Sequence, residues 1–246
     1  EEIVEHVEDL QADKILAWQD RHIFLIGFLV GIVLPGLVGF ALLGNVHGLL
    51  GGIIYGGFLR VVVVHHGTFL INSAAHTWGT QPYSTANTSR DSPILSLFTF
   101  GEGYHNFHHT FQADYRNGIK WYQFDPTKWL IKIFSIVGLA SKLKKTPQHS
   151  IDIALLDMKI IKNTRKLDGR SIDSALYVDK MKSTRDNLRS QMYNLYKATN
   201  EKKKGSKSNS EELSAKIIQL KKNIATGQEE ISAIFKDINN AKPIRA

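Results

Sequence analysis

Ile23-Phe-Leu-Ile-Gly-Phe-Leu-Val-Gly-Ile-Val-Leu-Pro-Gly-Leu-Val-Gly-Phe-Ala-Leu-Leu43 is a run of 21 residues without a charge, and its reading decides the fold. At 1.5 Å per residue a helix of this length reaches about 30 Å, the thickness of a bilayer's hydrocarbon core. Pro35 would kink a soluble helix but is tolerated in a spanning one. A buried core helix is the bland alternative, and the length and glycine content favour a span over it. Gly44 to Gly48 reads as a short turn, after which a second apolar stretch runs from Leu49 to about His76. Leu49 to Val64 is apolar except for Arg60, which can snorkel or face protein. From His65 the segment turns polar, with His66, Thr68, Asn72, Ser73 and His76. The pattern predicts a hairpin of two spans, about 23–43 and 49–70. Its second helix leaves the lipid carrying Asn72 and His76, four apart, on one face.

Working outward, the chain divides into two materials. Residues 1–149 carry 11 Lys and Arg against 11 Asp and Glu, whereas residues 150–246 carry 20 against 12, so the whole net charge of +8 lies in the tail. All four Trp, all ten His and eleven of the twelve Phe fall in the first part. This predicts two domains, 1–149 and 150–246. Cysteine is absent, which removes disulfides and the thiolate sites of structural zinc. The acidic start (Glu1, Glu2, Glu5, Glu8, Asp9) is unlike a signal peptide, and the chain reads as a fragment lacking an N-terminal part.

Thr77 to Asp114 is polar, with turn signals at Gly79, Pro82, Pro93, Gly101 and Gly103, and is expected outside the lipid because irregular backbone does not face hydrocarbon. Within it, Gly101-Glu-Gly-Tyr-His-Asn-Phe-His-His109 places three imidazoles in five residues. On a helix His105 shares a face with His108 or His109, and those two fan apart by about 100°, an arrangement that can feed two neighbouring metals. Crowded neutral imidazoles suit iron, copper or zinc. His65 and His66 read either as an interfacial polar belt or as further ligands. His6, His22, His47 and His149 have no local company and read as solvated. Pro126 to Ala140 reads as an interfacial amphipathic helix, with Trp129, Ile133, Ile136 and Val137 on one side and Lys128 and Lys132 on another.

The tail is helical in composition. Leu213, Ile217, Leu220, Ile224, Ile231, Ile234 and Ile238 fit a heptad with Gly227 in the missing step, and Met181, Leu188 and Leu195 stand seven apart. With the Lys/Ser/Gly-rich loop from Glu201 to Ser210 between them, they predict a coiled-coil hairpin. Its basic charge suits homo-oligomerisation, an acidic electron carrier or anionic lipid. Nucleic acid is not expected, since aromatic interleaving and a recognisable module are lacking.

Asn72-Ser-Ala-Ala-His76, Trp78-Gly-Thr-Gln-Pro-Tyr83, Gly101 to His109 and Asp114-Tyr115 closely resemble the acyl-CoA Δ9 (stearoyl-CoA) desaturases, and Asp9-Leu-Gln-Ala-Asp13 looks like that family's segment before its third span. The resemblance runs over about residues 9–145. It implies an all-α protein: a multi-pass membrane bundle with a cytosolic, histidine-rich helical cap, here followed by the tail hairpin. It implies an O2-dependent diiron enzyme that inserts a cis double bond into a long-chain acyl-CoA. The implied ligands of the two iron ions are His76, His105, His108 and His109, with Asn72 acting through a water, and Thr68 and Phe69 fall where the acyl tunnel is lined. Phe69 stands where the family commonly has Trp. Two earlier histidine boxes of the family, HxxxxH and an HxxHH preceding that of His105 to His109, do not occur and are expected upstream of Glu1. No His-Pro-Gly-Gly haem motif appears, so electrons are expected from a separate carrier of cytochrome b5, ferredoxin or rubredoxin type. The membrane is expected to be the endoplasmic reticulum or a bacterial inner membrane. The alternatives are a related diiron acyl-lipid desaturase or hydroxylase, and a non-catalytic membrane anchor with a coiled-coil tail.

Overall fold

A computed structural model describes residues 8–168, 170–203 and 210–243. His6, the residues before it and most of the Glu201–Ser210 loop lie outside the described residues. Among those described the structure is all-helical, with three isolated β-bridges and no strand. It forms two compact units, Glu1–Leu70 and Ile71–Ala246, a division that falls elsewhere than between residues 149 and 150.

In the first unit, α1 (Glu8–Ala12) and α2 (Lys14–Arg21) lead into α3 (Ile23–Leu43). Asp13 caps α2 by accepting from the amides of Ile15 and Leu16 at 2.8 and 3.2 Å. Gly44 ends α3 at φ +66°, and Asn45 starts α4 (Val46–Thr77) by accepting from the Gly48 amide. Both helices are long and apolar enough to cross a membrane. The chain covers little of either: 6% and 11% of their apolar windows are buried, so neither is a core helix of this chain. Leu29–Val33 and Gly52–Leu59 are π-helical turns.

The two helices meet backbone to backbone. A Cβ on Gly39 would collide with the Gly48 carbonyl, and one on Gly52 with the Pro35 carbonyl. Such small-residue seams let apolar helices approach where burial from water gives no drive. Arg60 crosses the seam: its Nη2 donates to the Gly31 carbonyl at 3.2 Å and its Nε to the Gly56 carbonyl at 2.9 Å. Gly31 lies four residues before Pro35, so its carbonyl is the one that Pro35, lacking an N–H, cannot serve. Arg60 thus bonds across the seam while its residue stays exposed.

The second unit holds the polar segment and the tail. Ser92 caps α5 (Pro93–Phe98), α6 (His105–Thr110) follows, and Asp125 caps α7 (Pro126–Ile136) through the Lys128 amide. The other Asp125 oxygen accepts from the amides of Asn117 and Gly118. α7 carries Trp129, Ile133, Ile136 and Val137 exposed, as its amphipathic pattern predicts. Lys128 departs from that pattern. Rather than lying on a solvated face it is buried, with Nζ donating to the carbonyls of Gly118, Lys120 and Gln123 at 2.6, 3.1 and 3.3 Å. Burial lowers its pKa, with Asp125 opposing.

The tail is a three-helix arrangement of α8 (Gln148–Leu167), α9 (Ser174–Lys203) and α10 (Ser210–Asn240). Leu156, Ile160 and Leu167 of α8 join Met181, Leu188, Ile231, Ile234 and Ile238 in one core, so the predicted pair of helices has a third member. Gly227 marks a close approach: a Cβ there would lie 2.8 Å from Leu188 Cδ2, which fills the missing heptad step. His149 is not solvated. It lies half-buried against Tyr196 (ring centroids 4.5 Å) and Tyr193 (6.1 Å), and burial lowers its pKa. The polar segment is tied at Asp114 to the stretch that leads into the tail: its carboxylate is bridged by Arg116 at 2.7 Å and accepts from the Thr146 amide at 2.8 Å.

Candidate metal centre

Three imidazoles of the second unit converge. α4 breaks at Ser73 (φ −116°, ψ −65°), and His76 stands on the separate turn Ala74–Thr77, its amide reaching back to the Ser73 carbonyl at 3.1 Å. Asn72 and His76 are thus divided by the break rather than carried on one unbroken helical face. Buried Ala74 and Ala75 pack with Leu95 and seat that turn. On α6, His105 and His109 share a face, with His105, Asn106 and Phe107 buried. Nε2 of His105 lies 3.1 Å from Nε2 of His76 and 3.0 Å from Nε2 of His109, and the donor atoms of all three rings fall within 4.8 Å of one another.

These rings cannot all satisfy one another at once. Nε2 of His105 meets two other Nε2 atoms but can donate one proton or accept one, so one of the two contacts is left without a hydrogen bond. A shared cation removes the conflict. At metal–nitrogen distances of about 2.0–2.1 Å, ligands set 90–110° apart are about 2.8–3.4 Å from each other, a range that holds both contacts of His105 Nε2. Burial lowers the His105 pKa to about 4, followed by the neighbouring His109, His76 and His108, against a small opposing pull from the Glu102 backbone. Its buried Nδ1 meets no partner in hydrogen-bonding geometry. His109 is also lowered, first by burial and then by His108 and His76. The residues fit a metal that takes neutral nitrogen donors.

His108 stands outside the converging trio, its ring near-parallel to His105 (21°) at 5.8 Å. Asn72, exposed, ends the Arg60–Asn72 stretch of α4. Thr68, Phe69, His65 and His66 belong to the other unit, on the same stretch. There Thr68 Oγ1 donates to the Val64 carbonyl, His66 Nδ1 contacts the Val62 carbonyl at 2.8 Å, and Phe69 meets both histidine rings edge-on.

The segment between the ligand-bearing pieces carries residues that spacing does not reveal. Asp91, 9% exposed, accepts from the amides of Asn106 (2.8 Å) and Phe107 (3.1 Å) through one oxygen. It thereby caps α6, whose own preceding residue Tyr104 makes no side-chain cap. Its backbone pairs with Thr80, and the adjoining Arg90 amide donates to the Ala75 carbonyl at 2.7 Å. Burial raises the Asp91 pKa to about 6 against those two amides. Asp91 is the only acid between Asp20 and Glu102, the one signal in the sequence that could have singled it out. Asn106 clamps the loop before it: Oδ1 accepts from the Tyr83 amide at 2.9 Å, and Nδ2 donates to the carbonyls of Ser84 and Ser89. Gly101, at φ +106°, takes a left-handed conformation against Asp125, where a Cβ would meet Oδ1 at 2.8 Å.

A fatty acid desaturase family model matches residues 5–134. The chain is 47% identical over 160 residues to acyl-CoA desaturase 1 of Saccharomyces cerevisiae, covering 65% of this chain and 31% of that protein. It is 41% identical over 153 residues to the probable acyl-CoA desaturase of Schizosaccharomyces pombe, covering 62% and 31%. It is 34% identical over 150 residues to the sn-1 stearoyl-lipid 9-desaturase of a Synechocystis species, covering 61% and 44%. The chain thus spans a third to under a half of the length of these relatives.

Proposed function

The chain belongs to the fatty acid desaturase family, and from that premise we propose that the protein it represents is an acyl-CoA Δ9 desaturase of a membrane. The observation that carries this is the converging His76, His105 and His109 trio in a chain 47% identical over 160 residues to an acyl-CoA desaturase. The reaction converts a –CH2–CH2– pair, O2, two electrons and two protons into a cis –CH=CH– and two waters. Two bound iron ions would supply the O2 activation and C–H oxidation that no side chain can perform. The chain's own residues hold the donors. His76, His105 and His109 bring their Nε2 atoms together, and with His108, and Asn72 acting through a water, they would hold the two ions. Further ligands come from the rest of the protein. Thr68 and Phe69 line the path of the acyl chain, which fixes the carbons that react.

The two long apolar helices cross the bilayer, and the exposed Trp129, Ile133 and Ile136 of α7 rest on its cytosolic surface. Electrons arrive from a separate carrier, and the basic tail serves oligomerisation or docking of that partner. Removal of 150–246 without change in activity, oligomeric state or reductase coupling would refute both tail roles. The name of the cyanobacterial relative supports a second reading, with an acyl-lipid as substrate. Expression of the full protein in a desaturase-deficient host separates the two. Cis-9 monoenes first appearing in the acyl-CoA pool support the leading reading, their first appearance in intact lipids supports the second, and no monoenes would sink both.

A further inference from the structure

His76 is held from both sides of its ring. Nε2 points to His105, and Nδ1 lies 2.9 Å from Thr88 Oγ1. A neutral imidazole carries one proton, so whatever fixes Nδ1 decides what Nε2 can do. We propose that Thr88 is a positioning residue of this site. Its hydroxyl oxygen accepts the Nδ1–H of His76, which leaves the Nε2 lone pair free for the metal and fixes the plane of the ring. The inference rests on the metal reading above.

The loop around Thr88 is built to hold that hydroxyl still. The Asn87 carbonyl before it accepts from Gln81 Nε2 at 2.6 Å. Ser89 after it is fully buried; its amide donates to Asn87 Oδ1, and its carbonyl accepts from Asn106 Nδ2 at 3.1 Å. The Arg90 amide donates to the carbonyl of Ala75, the residue before His76. The loop is therefore fastened to the backbone beside one ligand and to the side chain that follows another, His105. A β-branched residue limits the positions its hydroxyl can take. Outer partners of this kind set ligand tautomer and orientation, and their loss typically weakens metal binding 10–100-fold.

The test uses the intact protein, stripped of metal and titrated with Co2+, whose visible absorption reports nitrogen ligation. Thr88→Val should weaken Co2+ binding about 10–100-fold and alter the band, with an unchanged melting midpoint in the metal-free state. Thr88→Ser, which keeps the hydroxyl, should bind within a few-fold of the parent. Parent-like binding by Thr88→Val, Thr88→Ser as weak as Thr88→Val, or a fall in the metal-free midpoint of Thr88→Val would each overturn the role. His105→Ala separates the two levels. If it loses Co2+ while Thr88→Val does not, only the role of Thr88 falls. If it too binds like the parent, the metal reading itself falls.

Discussion

Asp91 serves two amides at the start of α6 with one buried oxygen, and so places His105 and His109 without touching either ring. Replacing it by Ala strands both amides, and thermal unfolding should show a loss of about 1–2 kcal/mol, the usual scale for a lost cap. Asp91→Asn keeps an acceptor and should lose less. The pH dependence has a definite sign. The folded pKa of about 6 lies above the ordinary 3.8, so the folded state holds the proton more tightly than the unfolded state. The stability this residue contributes is therefore fully present below about pH 4, declines as pH rises to about 6 and is level beyond. Melting curves across that window should show the decline in the parent, and its absence in Asp91→Asn; equal slopes would contradict it. At this scale the residues that converge could be singled out in the sequence, because the histidines at 105, 108 and 109 and His76 near a helix end are local patterns. The cap and the Thr88 contact were not, because each joins residues 12–16 apart through an irregular loop, where no periodicity signals which atoms meet.

Among the elements, the hairpin shows most clearly what pattern can and cannot give. The length and polarity of 23–43 and 46–77 follow from composition, but the register comes from Gly39, Gly48 and Gly52, whose missing side chains let the backbones touch. Arg60 then serves the carbonyl left by Pro35, which the hydropathy pattern shows only as a charge in an apolar run. Gly52→Leu should part the helices, and Arg60→Leu should leave the Gly31 carbonyl unserved at a cost of about 1–3 kcal/mol. Unfolding of the protein in detergent, followed by helical signal, checks both; a Gly52→Leu variant as stable as the parent would refute the seam. In α7 the apolar face was legible from spacing, while the carbonyl cage around Lys128 depends on a loop ten residues earlier. In the tail the heptads foretold α9 and α10, and α8, which precedes them, completes the core with Leu156, Ile160 and Leu167.

For the whole molecule, the split between a neutral, aromatic first part and a basic tail is plain in composition, yet the polar segment and tail form a single compact unit. Within that unit Asp114 fastens the polar segment to the stretch just before the tail. Burial pushes its pKa up, but Arg116 and the Thr146 amide outweigh that and hold it below the ordinary carboxylate value. Its contribution is thus present above that ordinary value and lost as pH falls through the depressed one. Acid, or Asp114→Ala at neutral pH, should raise hydrogen exchange at the Thr146 amide; unchanged exchange in Asp114→Ala would refute the tie. The account as a whole stands on the claim that His76, His105 and His109 hold a metal. The most direct test is the iron content of the purified intact protein and of its His105→Ala variant. The parent should carry iron and the variant should lose most of it; equal iron in both would contradict a metal at these three histidines.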